Sequence, residues 1–331
     1  MKRPSTKLLS LASQAGLSGG KTGIRLPAVI TEAGHKAERR FLEFFTAHIR
    51  NPNTRQAYGQ AVVQFLKWCH DRGLELAQLE PMLVAAYIEK LTKDRSPSTV
   101  KQHLAAIRML FDYLVLGQVL PFNPAAAVRG PKYVVKKGKT PVLNEQEARG
   151  LLESIDTSHV VGLRDRAFIG VMVYSFARVG AVVQMRVKDY YRQGLRAWFV
   201  LHEKGGKFHK VPAHRKASEF VEAYIEAAGI ADEKNAPLFR STRTKTRVLT
   251  DRPLNRVNAR QMVRRRAKDA GLPPEINCHT FRATGITNYL EHGGTIEIAA
   301  QIAGHESTRT TQLYNRTDDK LELEEIEKVR I

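Results

Sequence analysis

The 331 residues predict a mostly helical chain of two domains, with a small antiparallel sheet in the second, an α+β arrangement overall. Three observations carry this reading. The length is too great for one ordinary domain and comfortable for two. Apolar residues make up 43 % of the chain, enough to build real cores. The hydrophobic spacing also changes along the chain. It is helical from residue 35 to 130, and from residue 142 helical runs alternate with short β-like stretches.

Residues 1–34 are rich in Ser, Gly, Ala and Lys, without a sustained apolar period, and read as a flexible N-terminal arm. Residues 35–130 read as a helical domain. Phe41, Phe44, Phe45 and His48 share a face of a first helix. Asn53 is placed to cap a second helix, which buries Tyr58, Val62, Phe65 and Cys69 and stops at Gly73. Val84, Tyr87, Ile88 and Leu91 line a third. Ser98 is placed to cap a fourth, with Val100, Leu104, Ile107, Phe111 and Leu114 inward and Gly117 as its stop.

Residues 131–141, with the basic run KYVVKKGKTP, read as an extended linker. Residues 142–317 form the second domain. Asn144 caps a helix through Leu152, and another helix spans 165–174. The run Ala197-Trp198-Phe199-Val200-Leu201 is a strand, and Glu203-Lys204-Gly205-Gly206-Lys207 is a tight turn leading to the returning Lys210-Val211-Pro212. Helices follow at 217–228, 255–270, 280–290 and 296–302. Residues 318–331 form a separate tail: from Asp318 to Glu327 there are six acids and one base.

The charge narrows the partner. Lys plus Arg total 53 and Asp plus Glu 33, a net charge of +20 whose self-repulsion opposes compaction. Residues 1–136 carry +11 and residues 137–331 carry +9, so the excess is not a single tail. Nucleic acid, an anionic membrane or an acidic protein would offset it. No stretch reaches the roughly 18 apolar residues of a spanning helix, which disfavours a membrane. Cys69 and Cys278 stand far apart in no CxxC pattern, pointing to a reducing cytoplasm without a disulfide framework or cysteine-based metal site. The run AGLSGGKT at 15–22 misses a phosphate-binding loop, because it has Ala15 where that loop needs Gly and no strand precedes it.

Six residues of the second domain have a mutual logic. Arg178 follows an apolar helix and Lys204 sits on the turn. His279 and Arg282 are three apart at a helix start, in HTFR. His305 follows Gly304, and Tyr314 lies nine residues later. Each alone has an ordinary structural use. In this order and context they resemble the conserved set of the tyrosine recombinase (phage integrase) family. The segments HTFRATGITNYLEHGG and IAAQIAGHESTRTTQLYNR carry the resemblance most specifically. Asn53-Thr54-Arg55 with Tyr58, Ser98-Thr99-Val100, and LNRVNARQMVRRRAKDAGL at 254–272 extend it. Three departures stand out. Phe176 occupies a position where the family often has Gly, Ala181 one where it usually has an acid, and Ala303 one where Leu is common.

The resemblance implies a SAM-like core-binding domain and a catalytic domain that together form a C-shaped clamp on DNA. It implies site-specific cleavage and rejoining of duplex DNA through a 3′-phosphotyrosyl intermediate, with strand exchange between two sites. The catalytic set would be Arg178, Lys204, His279, Arg282, His305 and the nucleophile Tyr314. The residue types suit this. Two guanidiniums grip non-bridging phosphate oxygens and stabilise the extra charge of the transition state. A phenol with a pKa of about 10 needs nearby cations or a base to lose its proton. Lys204 on a turn can protonate the leaving 5′ oxygen, and His305 would donate to the scissile phosphate. No carboxylate cluster for a metal accompanies these motifs, and the ester conserves the bond energy, so neither metal, ATP nor another cofactor is expected. Type IB topoisomerases share the chemistry, so DNA relaxation, like a non-catalytic DNA-binding role, is the alternative.

DNA contacts are expected at Arg55, Lys67, Lys101 and Arg108 in the first domain and at Arg243, Lys245, Arg256, Arg260 and Arg264 in the second. The last three recur every four residues as a basic stripe on one helix face. The expected partners are double-stranded DNA with inverted-repeat core sites, accessory DNA-bending proteins, and three further copies in a tetramer joined through the acidic tail. The expected location is the cytoplasm, at the nucleoid.

Overall fold

The computed structural model describes residues 26–133, 138–203, 206–243 and 246–315. The chain forms two compact units, Met1–Val134 and Val135–Ile331. Among the described residues both are built mainly of helices, and the strands, all antiparallel, lie in the second.

In the first unit, α1 (Ala28–Glu32), α2 (His35–Glu43), α3 (Pro52–His70), α4 (Pro81–Asp94) and α5 (Pro97–Leu116) surround one core. The helix α1 corrects the reading of residues 1–34 as an arm. Its Val29 and Ile30 are fully buried, so the packed unit starts before residue 35. A five-residue helix with two buried side chains has no period to read. Residues before 26 lie outside the described ones. Phe44–His48 is a single π-helical turn continuing α2. The wider turn keeps Phe41, Phe44 and Phe45 buried and leaves His48 exposed, stacked on Phe44 at 5.8 Å, rather than in the core.

Two caps move by two residues from the expected positions, for one reason. Pro52 and Pro97 hold the first helical position, where a missing N–H costs nothing. The residue before each proline is therefore the cap. The Asn51 side chain accepts from the backbone N–H of Asn53 at 3.0 Å and of Thr54 at 3.2 Å. The Ser96 hydroxyl accepts from Thr99 N–H at 3.4 Å. The apolar faces are those expected: Val84, Tyr87, Ile88 and Leu91 on α4, and Val100, Leu104, Ile107, Phe111 and Leu114 on α5.

The second unit is laid around α7 (Val160–Tyr174), which follows α6 (Glu145–Glu153). Asn144 and Glu147 close a reciprocal capping box at the start of α6. Helix α7 is buried from Ala167 to Met172, as a helix packed on several sides must be. It begins five residues before the expected start, with the His159 ring accepting from Gly162 N–H at 2.9 Å. The short α8 (Val179–Val182) leads to strands β1 (Tyr190–Gln193), β2 (Arg196–His202) and β3 (Phe208–Pro212), ordered β1-β2-β3. Ala197, Phe199 and Leu201 of β2 point into the core at the two-residue period of a strand. Phe199 pairs with Val211 and His202 with Phe208, and the ladder continues to Glu203 N–H, which donates to Lys207 O at 2.8 Å; residues 204 and 205 lie outside the described ones.

Helix α9 (Arg215–Ala228) packs on α7 and ends at Gly229, whose φ of 63° needs glycine. A second, two-stranded sheet of β4 (Arg240–Thr242) and β5 (Leu249–Pro253) was not foreseen. Its strands are short and basic and carry no apolar alternation. Then come α10 (Arg256–Asp269), α11 (Cys278–Glu291), α12 (Ile296–Ala303) and α13 (Thr308–Gln312).

A buried ionic knot ties α7 to α10. Asp165 is fully buried. Its Oδ1 accepts from Arg164 Nη2 at 2.6 Å, and its Oδ2 from Arg266 Nη2 at 2.8 Å, with Arg265 at 3.5 Å. Removing one partner from such a cluster strands the others, so Asp165→Asn is expected to cost about 3 kcal/mol or more in urea denaturation. Loss of the α3 cap by Asn51→Ala is expected to cost about 1 kcal/mol by the same measurement.

Candidate active site

Helix α11 supplies the centre of the site. Asn277 caps it: its side chain accepts from His279 N–H at 2.9 Å, and its own N–H donates to Thr280 Oγ1 at 3.1 Å. This box sets the first turn, and with it His279 and, three residues on, Arg282. The Arg282 side chain is almost wholly buried, yet its recorded hydrogen bonds go to carbonyls and an imidazole rather than to a carboxylate. It donates through Nη1 to Phe176 O, and through Nη2 to Ala303 O at 2.8 Å and to His305 Nε2 at 2.5 Å. Its Nε–H has no partner among the described residues. Burial, and then the nearby Arg178, lower its pKa to about 10, while Tyr314 and Glu203 push the other way. It remains a cation at neutral pH.

Each carbonyl that receives Arg282 has a local cause. Phe176 has a φ of 53°, an uncommon conformation for a residue with a side chain, which turns its C=O inward. That is where a Gly would sit unstrained. The buried Phe176 ring lies edge-on to Tyr289 at 5.9 Å and against Gly285. A Cβ on Gly285 would fall 2.1 Å from Val173 O and 2.7 Å from the Phe176 ring. Ala303 is the last residue of α12, and Gly304 ends that helix with φ 59°. The next residue, His305, is thereby aimed at Arg282.

His305 Nδ1 lies 2.8 Å from Thr311 Oγ1. Because Arg282 can only donate, His305 Nε2 accepts, and Nδ1 carries the proton and donates to Thr311. Burial, then Arg282, Arg178 and His279, lower the His305 pKa to about 3, so the ring is neutral. This differs from the expected donation to a phosphate, since both ring nitrogens are engaged within the protein.

Tyr314 stands just beyond α13 and is 8 % exposed. Its hydroxyl is 2.9 Å from His279 Nε2, and its ring stacks on that of His305 at 6.0 Å. Thr287 of α11 donates to Tyr314 O at 2.9 Å, and Gly138 N–H donates to Leu313 O at 3.0 Å. The His279 pKa is lowered by desolvation, then by Arg282 and Arg178, so a neutral ring can accept the phenolic proton.

Arg178 precedes α8. It is 42 % exposed, and its Nη1 donates to Glu203 Oε2 at 2.6 Å. Lys204 lies outside the described residues. The fold thus gathers His279, Arg282, His305 and Tyr314 through direct contacts, with Arg178 near enough to act on three of them electrostatically. The sequence reading passed over Glu203, Thr287 and Thr311. Thr280, Thr284 and Thr287 form a buried polar row at helical spacing on α11, a readable sign that another segment docks there. Glu203 had no such signal.

The basic residues divide by use. In the first unit Arg55 donates to Ile49 O at 2.8 and 3.0 Å, and Arg108 holds Ala125 O and Val128 O. These guanidiniums secure the backbone. Lys67 is exposed and paired with Asp71 at 2.8 Å, and Lys101 is exposed. In the second unit Arg243, Arg256, Arg260 and Arg264 are exposed, while Lys245 lies outside the described residues. Arg256 lies against Gly180 of α8, where an added Cβ would come within 2.8 Å of Nη2. The stripe on α10 therefore begins beside the segment that carries Arg178.

Known proteins similar to this chain fall in one family. The family model described as the phage integrase family matches residues 141–320, and the N-terminal SAM-like domain of phage integrases matches residues 39–118. The tyrosine recombinase XerD of Chlorobaculum tepidum is 27 % identical over 296 residues, covering 87 % of this chain and 93 % of that protein. Among solved structures, the XerH site-specific recombinase in a pre-cleavage complex with difH substrate has a TM-score of 0.66 at 20 % identity, covering 99 % of this chain and 97 % of that one. A λ integrase tetramer bound to a Holliday junction has a TM-score of 0.64 at 18 % identity, covering 95 % and 88 %. Matched over more than half its length by one family model, with the tyrosine and its basic partners assembled in the matched region, the chain belongs to the phage integrase family of tyrosine recombinases.

Proposed function

We propose that the protein cleaves and rejoins duplex DNA at specific sites, exchanging strands through a 3′-phosphotyrosyl intermediate. The observation that carries this reading is the 2.9 Å contact between Tyr314 Oη and a neutral His279 Nε2, beside two guanidiniums. Tyr314 Oη attacks the scissile phosphorus as His279 Nε2 takes its proton. The P–O5′ bond breaks, and Lys204 gives the departing 5′ oxygen a proton. Arg178 and Arg282 hold the non-bridging oxygens, where their charge offsets that of the transition state. His305 acts by orienting Arg282. Attack by a 5′ hydroxyl on the phosphotyrosine reverses these steps, so the energy of the cleaved bond passes to the new one.

The exposed stripe of Arg256, Arg260 and Arg264, with Arg243 and the exposed lysines of the first unit, supplies the grip on backbone phosphates. The core sites are inverted repeats bound by two copies each, and four copies assemble for exchange, assisted by DNA-bending proteins. The acidic tail, residues 318–331, is assigned to the contact between copies; it lies outside the described residues. Integration, excision and resolution follow from one chemistry on differently arranged sites, acting on chromosomal DNA in the cytoplasm.

Covalent adducts trapped on genomic DNA and sequenced should map to a short shared site, with Tyr314 as the attached residue. Tyr314→Phe should abolish the adduct and leave the gel shift within about threefold of wild type. An adduct on the variant would move the nucleophile elsewhere.

The pH profile tests His279 as base. A His of ordinary pKa 6.5 would be half protonated, and half as active, at pH 6.5; a lowered pKa keeps His279 neutral there. Single-turnover adduct formation should therefore reach its half-maximal rate below pH 6.5. A half-maximal rate at or above pH 6.5 would remove His279 from the role.

A further inference from the structure

We propose that Glu203 occupies, in the DNA-free protein, the place of the scissile phosphate on Arg178 and yields it when DNA binds. This positioning role rests on the function proposed above. Three observations carry it.

The first is the contact itself. Arg178 is offered a phosphate-like partner by its own chain: Glu203 Oε2 accepts from Nη1 at 2.6 Å. A carboxylate and a phosphate present the same pair of acceptor oxygens to a guanidinium fork.

The second is that the carboxylate is held on one side only. Its side chain is 9 % exposed, and Oε1 is buried without a hydrogen-bond partner among the described residues. Asp165, by contrast, has both oxygens filled, by Arg164 and Arg266. Glu203 has one bond, to a guanidinium left 42 % exposed and so open to a competitor.

The third is the charge around it. Arg178 and Arg282 act on one another as like charges, and Glu203 opposes them. Helix α8 contributes no acid: Ala181, three residues after Arg178, is buried and apolar. Glu203 therefore balances the two guanidiniums before DNA arrives. Once the phosphate supplies that charge, a carboxylate beside it becomes repulsive.

The test uses the full-length protein and inorganic phosphate as the probe. Wild type, Glu203→Gln, Glu203→Asp, and Glu203→Gln combined with Arg178→Gln are melted in sodium chloride and in sodium phosphate of equal ionic strength. Glu203→Gln should melt about 1–4 °C below wild type in chloride and recover in phosphate. Its phosphate affinity, from titration of the melting temperature, should exceed that of wild type about threefold or more, the effect of losing one partly exposed competing charge. Glu203→Asp keeps the charge and should stay near wild type. The double variant should lose the rescue. Equal phosphate effects on wild type and Glu203→Gln would overturn the proposal. So would rescue without Arg178, or a Glu203→Gln chain that phosphate does not restore. Failure of the recombinase reading would appear separately, as wild-type protein that forms no Tyr314 adduct.

Discussion

The second unit is organised around a buried positive charge with no carboxylate hydrogen-bonded to it among the described residues. Arg282 is taken out of water, and burial lowers its pKa to about 10 while leaving it ionised. Its stability in that place comes from dipoles: two carbonyls and the lone pair of a neutral imidazole. Each imposes a condition on a distant piece of chain. Phe176 must turn into the left-handed region, α12 must end at Ala303, and Gly304 must bend so that His305 faces back. The dipoles that hold Arg282 carry no net charge, so they fix the guanidinium in place and leave it a cation.

The same logic separates the two histidines. Both are held neutral, and the reasons are shared: desolvation and adjacent guanidiniums. Their contacts differ. His305 has both nitrogens engaged, by Arg282 and Thr311, and serves as part of the scaffold. His279 keeps Nε2 on the Tyr314 hydroxyl. Two residues of one type, a few ångströms apart, thus acquire different tasks from hydrogen-bonding partners alone.

Much of this was legible in the sequence. The apolar faces of α4 and α5 could be read residue by residue, because helical spacing records burial directly. The chemical set could be read from its order, since Arg178, His279, Arg282, His305 and Tyr314 sit in distinctive local strings. Features without a periodic or compositional trace were missed. The π turn at Phe44–His48 adds no unusual residue, and the strands β4 and β5 lack alternation. Within the basic run of α10, Arg266 turns inward to a buried Asp165 while Arg264 faces outward. Sequence distance hides that choice, because Asp165 lies on another helix. Arg55 and Arg108 show the same limit: a guanidinium that secures backbone carbonyls is indistinguishable, in sequence, from one that waits for a phosphate.

The strained turn at Phe176 has a consequence for how this sequence can drift. Its ring fills the space left by the missing side chain of Gly285, and its backbone presents a carbonyl to Arg282. A larger residue at 285 is barred while the Phe176 ring and Val173 O stay where they are. Glycine at 176 would relax the backbone but open a void against Gly285 and Tyr289. Neither position is free to vary alone. A change at either position therefore alters what the other has to accommodate.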